Sequence, residues 1–455
     1  MNIKDDFILK NIHEGYLVGG SVRDFIMGKT FKDRDIAIRE AEIFAKKLAD
    51  ELDATFITLD DVNKIFRVVL KDKENYLDIS ELRGKSIEED LLKRDFTVNA
   101  VAYDLKAEKY IDVTGGIKDI QNHCLRIIKE ENLAEDPLRI LRAFRFMSTL
   151  NFEPEKELIK VLKKYYHLVN IPAKERIHDE IIKLFGGKHA AKTLISMYDS
   201  GILELIFPVV KDMAKVPSNS HHHLDLVHHV IETVKQIELQ MNSAETEVIN
   251  HLTKTDFGGY PRINYLKLAG FLHDIGKFST WTIEDTGRHR FIKHDLVGAK
   301  MVIPLLRELK FSNKQIEYIS EMIRQHIYPS NVISSPNFDN KVMLRYIRKM
   351  GENVIDNITL AKADRLSAQG PDITKDMLEA NINGLNKLLN FYIEIKPSLK
   401  PLPKLLDGNE IMQLLGIKQS PKLGYIIKEL HEAQLNGDIN TKKQAENFIR
   451  EIYAS

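Results

Sequence analysis

Two hydrophobic rhythms divide this chain near residue 125. Before it, apolar residues come in short runs of strand length: Tyr16-Leu17-Val18, residues 66–70, Tyr76-Leu77-Asp78-Ile79 and residues 98–103. Such runs predict short strands mixed with helices. Beyond it the strand signal fades and helical spacing takes over, as in residues 157–163. Pro208 and Pro217 mark one boundary, and Pro397, Pro401 and Pro403 a second, while a polar stretch near 241–262 predicts a loop. The expected organisation is α+β: a head at 1–125, a helical neck at 126–217, a helical domain at 218–370 and a helical tail at 371–455. No internal repeat or low-complexity segment interrupts it.

Chemistry enters at the first strand. Tyr16–Val18 runs into Gly19-Gly20, and Ser21 opens a predicted helix that contains Arg23 and extends to Met27. A glycine turn feeding a helix N-terminus offers backbone N–H groups to phosphate. Downstream, Asp33 and Asp35 are spaced i, i+2, so on a strand both carboxylates face one point, a suitable arrangement for Mg²⁺. Either feature alone is usually a turn or surface charge, but a phosphate cradle beside a two-carboxylate metal site is what nucleotidyl transfer requires. Leu17-Val18-Gly19-Gly20-Ser21-Val22-Arg23-Asp24, followed by Gly28 and by Asp33-x-Asp35, resembles the head of the class II tRNA nucleotidyltransferases and bacterial poly(A) polymerases, part of the polymerase-β-like superfamily.

Further blocks extend the resemblance. Arg94-Asp95-Phe96-Thr97-Val98-Asn99-Ala100 is similar to a family motif. The resemblance implies that Asp95 and Asn99 act near the sugar and that Arg94 helps read the base. A cap on a helix start by Asp95 or Thr97 is the plainer alternative. In Glu135-Asp136-Pro137-Leu138-Arg139, Pro137 fits the first turn of a helix, and Arg139, Arg142 and Arg145 recur every third residue on one broad face. The resemblance implies that Asp136 and Arg139 pair with the base edge of ATP or CTP, that Arg142 and Arg145 face phosphates, and that Asp78 is a third catalytic carboxylate. An ordinary strand-end aspartate is the alternative for Asp78. Residues 173–180 resemble the helix that opens the family's neck, and their charges are expected to stabilise that helix by i,i+4 pairing. Enzymes that build all of CCA usually carry a longer flexible loop where this chain has only residues 80–89. CC addition, A addition and poly(A) tailing therefore stay open beside CCA synthesis.

A second constellation is histidine-rich: His221-His222-His223, His228-His229, His273-Asp274-Ile275-Gly276-Lys277 after an apolar run, then His294, His326 and Asp364. Imidazoles with carboxylates suit divalent transition metals. The ordered set resembles the HD metal-dependent phosphohydrolases. That resemblance implies His229, His273, Asp274 and Asp364 as ligands of Mn²⁺, Ni²⁺ or Fe²⁺, with His294 and His326 completing a second metal or gripping a phosphate. Lys277, one turn beyond the His-Asp pair, is placed to face an anion. The tract at 221–223 is expected to be a loop before a helix, and the region from 406 resembles the family's tRNA-binding helical tail.

Composition narrows this modestly. The 455 residues exceed one ordinary core, and 43% hydrophobic with 29% charged residues describes a globular chain. A single cysteine, Cys124, excludes an intramolecular disulfide and fits a reducing compartment, the cytoplasm. No apolar run is long enough to span a membrane. Net charge is zero, so an RNA site must be a local basic patch, for which residues 139–145, 156–164 and 174 are the candidates. The expectation is template-independent nucleotide addition to RNA 3′ ends, most of all tRNA, from ATP and CTP with Mg²⁺. In the contrary reading the HD region is the working enzyme and the head only binds RNA; the intact Asp33, Asp35, Asp95, Asp136 and Arg139 weigh against it.

Overall fold

The short apolar runs form strands in the computed structural model, which describes residues 3–30, 33–399 and 403–454. They are β1 (Tyr16–Val18), β2 (Asp35–Ile38), β3 (Thr55–Asp60), β4 (Ile65–Val69), β5 (Tyr76–Glu81), β6 (Val101–Asp104) and β7 (Lys109–Asp112). One sheet holds them in the order β3-β4-β5-β2-β1-β6-β7. All neighbours are antiparallel except β2 and β5, which run parallel with Asp35 beside Asp78. The connection between those two strands carries α2 (Ala41–Glu51) and the β3–β4 hairpin. Helix α2 buries Ala41, Phe44, Ala45, Leu48 and Ala49, the i, i+3, i+4, i+7, i+8 stripe of a helix lying on a sheet. Before it, α1 (Gly20–Ile26) starts directly after Gly19, whose φ of 70° and ψ of −135° suit glycine alone. Helices α3 (Ile87–Leu92) and α4 (Gly116–Gln121) complete the head.

Beyond the sheet the first unit is helical: α5 (Glu131–Glu135), α6 (Leu138–Leu150), α7 (Lys156–Tyr165), α8 (Lys174–Gly186), α9 (Ala190–Asp199), α10 (Ile202–Ile206) and α11 (Val210–Met213). Helix α6 begins after Pro137, stops at Asn151 in the left-handed region and packs on α8 and α9.

The chain forms two compact units, Met1–Asp212 with Pro304–Ser312, and Met213–Ile303 with Asn313–Ser455. The second unit contains α12 (Leu226–Ser243), α13 (Thr246–Leu252), α14 (Arg262–Leu272), α15 (Lys277–Thr280), the larger part of α16 (His294–Glu308), α17 (Asn313–Gln325), α18 (Tyr328–Ile333), α19 (Asn340–Met350), α20 (Val354–Ser367) and α21 (Lys375–Ile395). Every residue of α14 but Ile263 is buried, as expected of a helix surrounded by α12, α17 and α20. Its polar residues survive there by pairing: Arg262 with Asp356 and Lys267 with Glu238. Helices α22 (Gly408–Leu415), α23 (Pro421–Asn436) and α24 (Lys442–Ala454) close around Ile411, Ile426, Ala445 and Ile449.

Three expectations need correction. The stretch near 241–262 is not one loop: α12 runs to Ser243 and α13 lies within it. Residues 98–103 are not one strand, because a 3-10 turn (Thr97–Asn99) precedes β6. Asp33 lies just before β2 and not on it. Pro401 lies outside the described residues. Among the described residues no helix is long and apolar enough to cross a membrane.

Candidate functional site

The parallel pairing of β2 and β5 places Asp35 directly across from Asp78. The glycine turn closes on the same corner, since a Cβ at Gly19 would lie 3.4 Å from both Asp35 Oδ2 and Arg94 Nη1. Burial, and then the neighbouring charge of Asp78, pushes the Asp35 carboxyl up to about 6, against the pull of Arg94. Asp33 accepts a hydrogen bond from the Tyr76 hydroxyl. Its main-chain oxygen accepts one from Ser21 Oγ at 2.7 Å, which ties the glycine turn to the acidic segment. Asp78 faces Arg67, with Nε 2.7 Å from Oδ1 and Nη2 2.8 Å from Oδ2. Asp33, Asp35 and Asp78 thus share one corner of the sheet, although their oxygens do not gather within 4.8 Å as a trio. Neither Arg67 nor the Tyr76 hydroxyl stood out in the sequence. Their only signal there is an i, i+2 relation of Tyr76 to Asp78, and the pairing of β4 with β5 reveals the rest.

A buried polar chain joins residues far apart in sequence. Arg142 Nε donates to Asp95 Oδ2 at 2.8 Å, Asn99 Nδ2 donates to Asp95 Oδ1 at 3.0 Å, and Arg23 Nη1 donates to Asn99 Oδ1 at 2.7 Å. Burial alone would raise the Asp95 pKa, but Arg142 and Asn99 overcome it and hold the carboxyl at about 2. Thr97 caps nothing; its hydroxyl donates to Asp119 Oδ2 at 2.5 Å. Arg94 pairs with Asp90 at 2.8 Å. Arg139 reaches the carbonyls of Asn132 (2.9 Å) and Lys93 (3.1 Å), which anchors α6 to the segment before Asp95.

The basic face of α6 is not an open patch. Arg142 is matched by Asp95, and Arg145 by Glu180 of α8 at 2.6 Å. Arg176 of α8 donates to Asp136 Oδ2 at 2.9 Å. The expectation that Arg142 and Arg145 face phosphates therefore gives way to internal pairing. Likewise Glu180 bridges α8 to α6 and Arg176 bridges α8 to Asp136, which ends α5, and the two do not pair with each other within their own helix. For Arg145 and Glu180 the physical reason is enclosure, since a charge closed in at a helix contact needs a partner there, whereas the Arg176–Asp136 pair is exposed.

The second unit gathers its histidines. His229 on α12, His273 and Asp274 after α14, and Asp364 on α20 offer ligand atoms within 4.8 Å of one another, as do Asp274, His294 and His326. His229 Nε2 lies 3.3 Å from Asp274 Oδ2 and 3.2 Å from Asp364 Oδ1, and His294 Nε2 lies 3.2 Å from Asp274 Oδ1. His273, His294 and His326 each turn Nδ1 to a main-chain oxygen three residues back, at 2.8, 2.7 and 2.6 Å. That fixes the rings and leaves Nε2 facing the cluster, the usual support of a metal-bound imidazole.

Gly276 makes the turn possible, because a Cβ there would lie 2.1 Å from the His294 carbonyl. Although buried, His229 Nε2, His273 Nε2 and both Asp274 oxygens have no partner in hydrogen-bond geometry. The carboxylates of Asp274 and Asp364 push the His273 imidazole up to about 10 in spite of burial. A divalent cation answers the same pull, so the donor set fits one.

Lys277 approaches Asp274 Oδ2 at 2.6 Å and His222 Nε2 at 3.2 Å, and the His222 ring packs edge-on against His229. His222, expected to be only loop, thus joins the cluster. His228 instead sits at the start of α12, where its main-chain N–H donates to the capping Asp225 carboxylate at 3.0 Å and its Nδ1 faces the other oxygen at 2.7 Å.

Comparison with known proteins adds to this geometry. The chain matches the model of the poly A polymerase head domain over residues 15–126, a probable RNA- and SrmB-binding site of polymerase A over 151–213, and the HD domain over 226–369. It is 29% identical over 440 residues to the A-adding tRNA nucleotidyltransferase of Deinococcus radiodurans, covering 95% of this chain and 94% of that one. It is 28% identical to the CC-adding tRNA nucleotidyltransferase of Thermus thermophilus, covering 98% and 95%. Among solved structures, it shares the fold of the Bacillus stearothermophilus CCA-adding enzyme in complex with CTP, with a TM-score of 0.59, 19% identity and coverage of 100% and 98%.

Proposed function

Because the chain belongs to the family of tRNA nucleotidyltransferases and poly(A) polymerases that carry an HD domain, we propose that it adds CMP or AMP, from CTP or ATP, to the 3′ end of tRNA without a nucleic-acid template. The observation that carries this reading is the corner where Asp33, Asp35, Gly19 and Arg94 meet. Asp33 and Asp35 are assigned to Mg²⁺, which when bound would activate the attacking hydroxyl and stabilise the departing pyrophosphate. Gly19, Gly20, Ser21 and Arg23 are assigned to the triphosphate, and Asp95 and Asn99 to the sugar. Asp136 and Arg139, with Arg94, are assigned to the base edge, where a carboxylate acceptor and a rigid donor fork discriminate. Arg142 supports this set by keeping Asp95 ionised. The compartment proposed is the cytoplasm.

One observation favours partial over complete CCA synthesis. Residues 82–86 form a tied turn: Arg83 N–H donates to Asp90 at 3.0 Å, Lys85 N–H to Glu89 at 2.8 Å, and Arg39 to the Gly84 carbonyl at 2.7 Å. No long loop is available there to change specificity from C to A. The test is incubation with tRNA ending at the discriminator base, after C or after CC, with CTP, ATP or both, and sequencing of the product ends. Extension by C alone or A alone supports the partial reading, full CCA overturns it, and no extension of any tRNA overturns the transferase assignment to tRNA.

For the second unit we propose a phosphohydrolase acting on 2′,3′-cyclic phosphates or nucleotide monophosphates. His229, His273, Asp274 and Asp364 would hold one cation such as Mn²⁺, Ni²⁺ or Fe²⁺, and Asp274, His294 and His326 a second. A bound cation there would supply a hydroxide nucleophile near neutral pH. Lys277, beside Asp274, is assigned to the substrate phosphate.

A further inference from the structure

Asp78 lies between two neighbours in one cross-strand row: Asp35 on β2 and Arg67 on β4. Directly opposed residues of adjacent strands project from the same face, so the row runs cation, anion, anion, with two like charges side by side. The Arg67 fork takes both Asp78 oxygens, at 2.7 and 2.8 Å. Such a bidentate pair is planar and charge-assisted, and its cation does not deprotonate in proteins. The two side chains are 32% and 22% exposed, so water screens them less than an open surface pair. The other face of the guanidinium lies 4.1 Å from the centre of the Tyr76 ring, which fixes its plane. The hydroxyl of the same tyrosine holds Asp33.

We propose that Arg67 is a resident counter-cation that removes Asp78 from metal coordination, leaving Asp33 and Asp35 as the head's only carboxylate ligands. The proposal rests on the nucleotidyltransferase reading. Each Asp78 oxygen already accepts from the fork and the charge of the pair is offset, so a cation at this corner is drawn to Asp33 and Asp35 in preference to Asp78. The bond that yields on metal entry is the single one from the neutral Tyr76 hydroxyl to Asp33, because it is weaker than the charged double one. Arg67 is thus a positioning residue: it acts through Asp78 on the charge felt at Asp35.

Mn²⁺ binding to the full chain tests this, read by depletion of the free-ion electron paramagnetic resonance signal in the presence of a non-hydrolysable CTP analogue. The head site is the portion of binding that Asp35→Asn abolishes. Arg67→Met should tighten that site by at least about threefold, since a freed carboxylate is added to it. Arg67→Met with Asp78→Asn should return it to the wild-type affinity. The double variant leaves neither partner buried and unpaired, so it also guards against a folding defect. Unchanged or weaker Mn²⁺ binding in Arg67→Met overturns the proposal. So does a double variant that loses the site as Asp35→Asn does, because Asp78 would then be a ligand. If Asp35→Asn binds both Mn²⁺ and the analogue like the wild type, the transferase reading itself fails, a result separate from any difference between the Arg67 variants.

Discussion

At the scale of single residues, Asp95 carries a measurable pH signature. Its carboxyl is held at about 2 in the fold, below the ordinary 3.8, because Arg142 and Asn99 outweigh burial. The folded state therefore releases this proton where the unfolded chain still holds it. The resulting stability is fully present above pH 3.8 and is lost as pH falls from there toward 2, amounting to about 2 kcal/mol. The stability gap between wild type and Asp95→Asn should narrow as pH is lowered from 5 to 3 in denaturant titrations. A gap that stays constant would remove the ionised Asp95–Arg142 pair as its source. Arg139 makes a different prediction. Its loss should cost about 1–3 kcal/mol of base discrimination, roughly fivefold to 150-fold, and change tRNA binding less. The measurement is kcat/KM for each of the four nucleoside triphosphates; UTP and GTP excluded as strongly as before would take Arg139 out of base reading.

At the scale of elements, the contact of α6 with α8 depends on charges that both helices enclose. Glu180→Ala leaves Arg145 without its partner in a nearly closed site. Breaking such a pair costs about 3–5 kcal/mol. Thermal unfolding of the first unit should shift down by several degrees. Glu42→Ala, which removes an exposed i,i+4 pair with Lys46 on α2, should leave it in place. Equal shifts in the two variants would mean that Glu180 only decorates α8. The elements also differ in how visible they are in the sequence. Helix α6 announces itself through Pro137 and its apolar spacing. Helix α13 does not, because it buries only Val248, His251 and Leu252 in a polar stretch, and His251 is held by Asp356 over a hundred residues away.

At the scale of the whole molecule, the histidine cluster draws on α12, the turn after α14, the ends of α16 and α17, and α20. A cation there links segments separated by up to 135 positions, so its removal should loosen the second unit. At ligand concentrations of 100–1,000 times Kd the lost stabilisation is about 3–4 kcal/mol. Chelator should lower the melting temperature of that unit, and Asp274→Ala should lose both the metal and the phosphoesterase activity while nucleotide addition continues. Elemental analysis of the purified protein, with a phosphoesterase assay of Asp274→Ala and Asp33→Ala, decides this. A wild type without metal, or phosphoesterase that persists in Asp274→Ala, would reduce the cluster to a scaffold.

The sequence by itself determined what local geometry can encode. The glycine turn and the α6 start follow from spacing and backbone preference within a few residues, whereas the strand spacing expected of Asp33 and Asp35 did not hold, because β2 begins only at Asp35. The histidines and aspartates that the structure gathers into candidate cation groups were also legible there as residue types suited to such ligation. Only the tertiary structure decided which charges are already satisfied. Arg67 meets Asp78 through strand register, Arg145 meets Glu180 through helix packing, and His222 meets Lys277 across 55 positions. An arginine has the same place in a periodic pattern whether its fork is open to phosphate or closed on a carboxylate. Its partner is set by which surfaces pack together, and that depends on burying apolar area over the whole fold, not on neighbours along the chain.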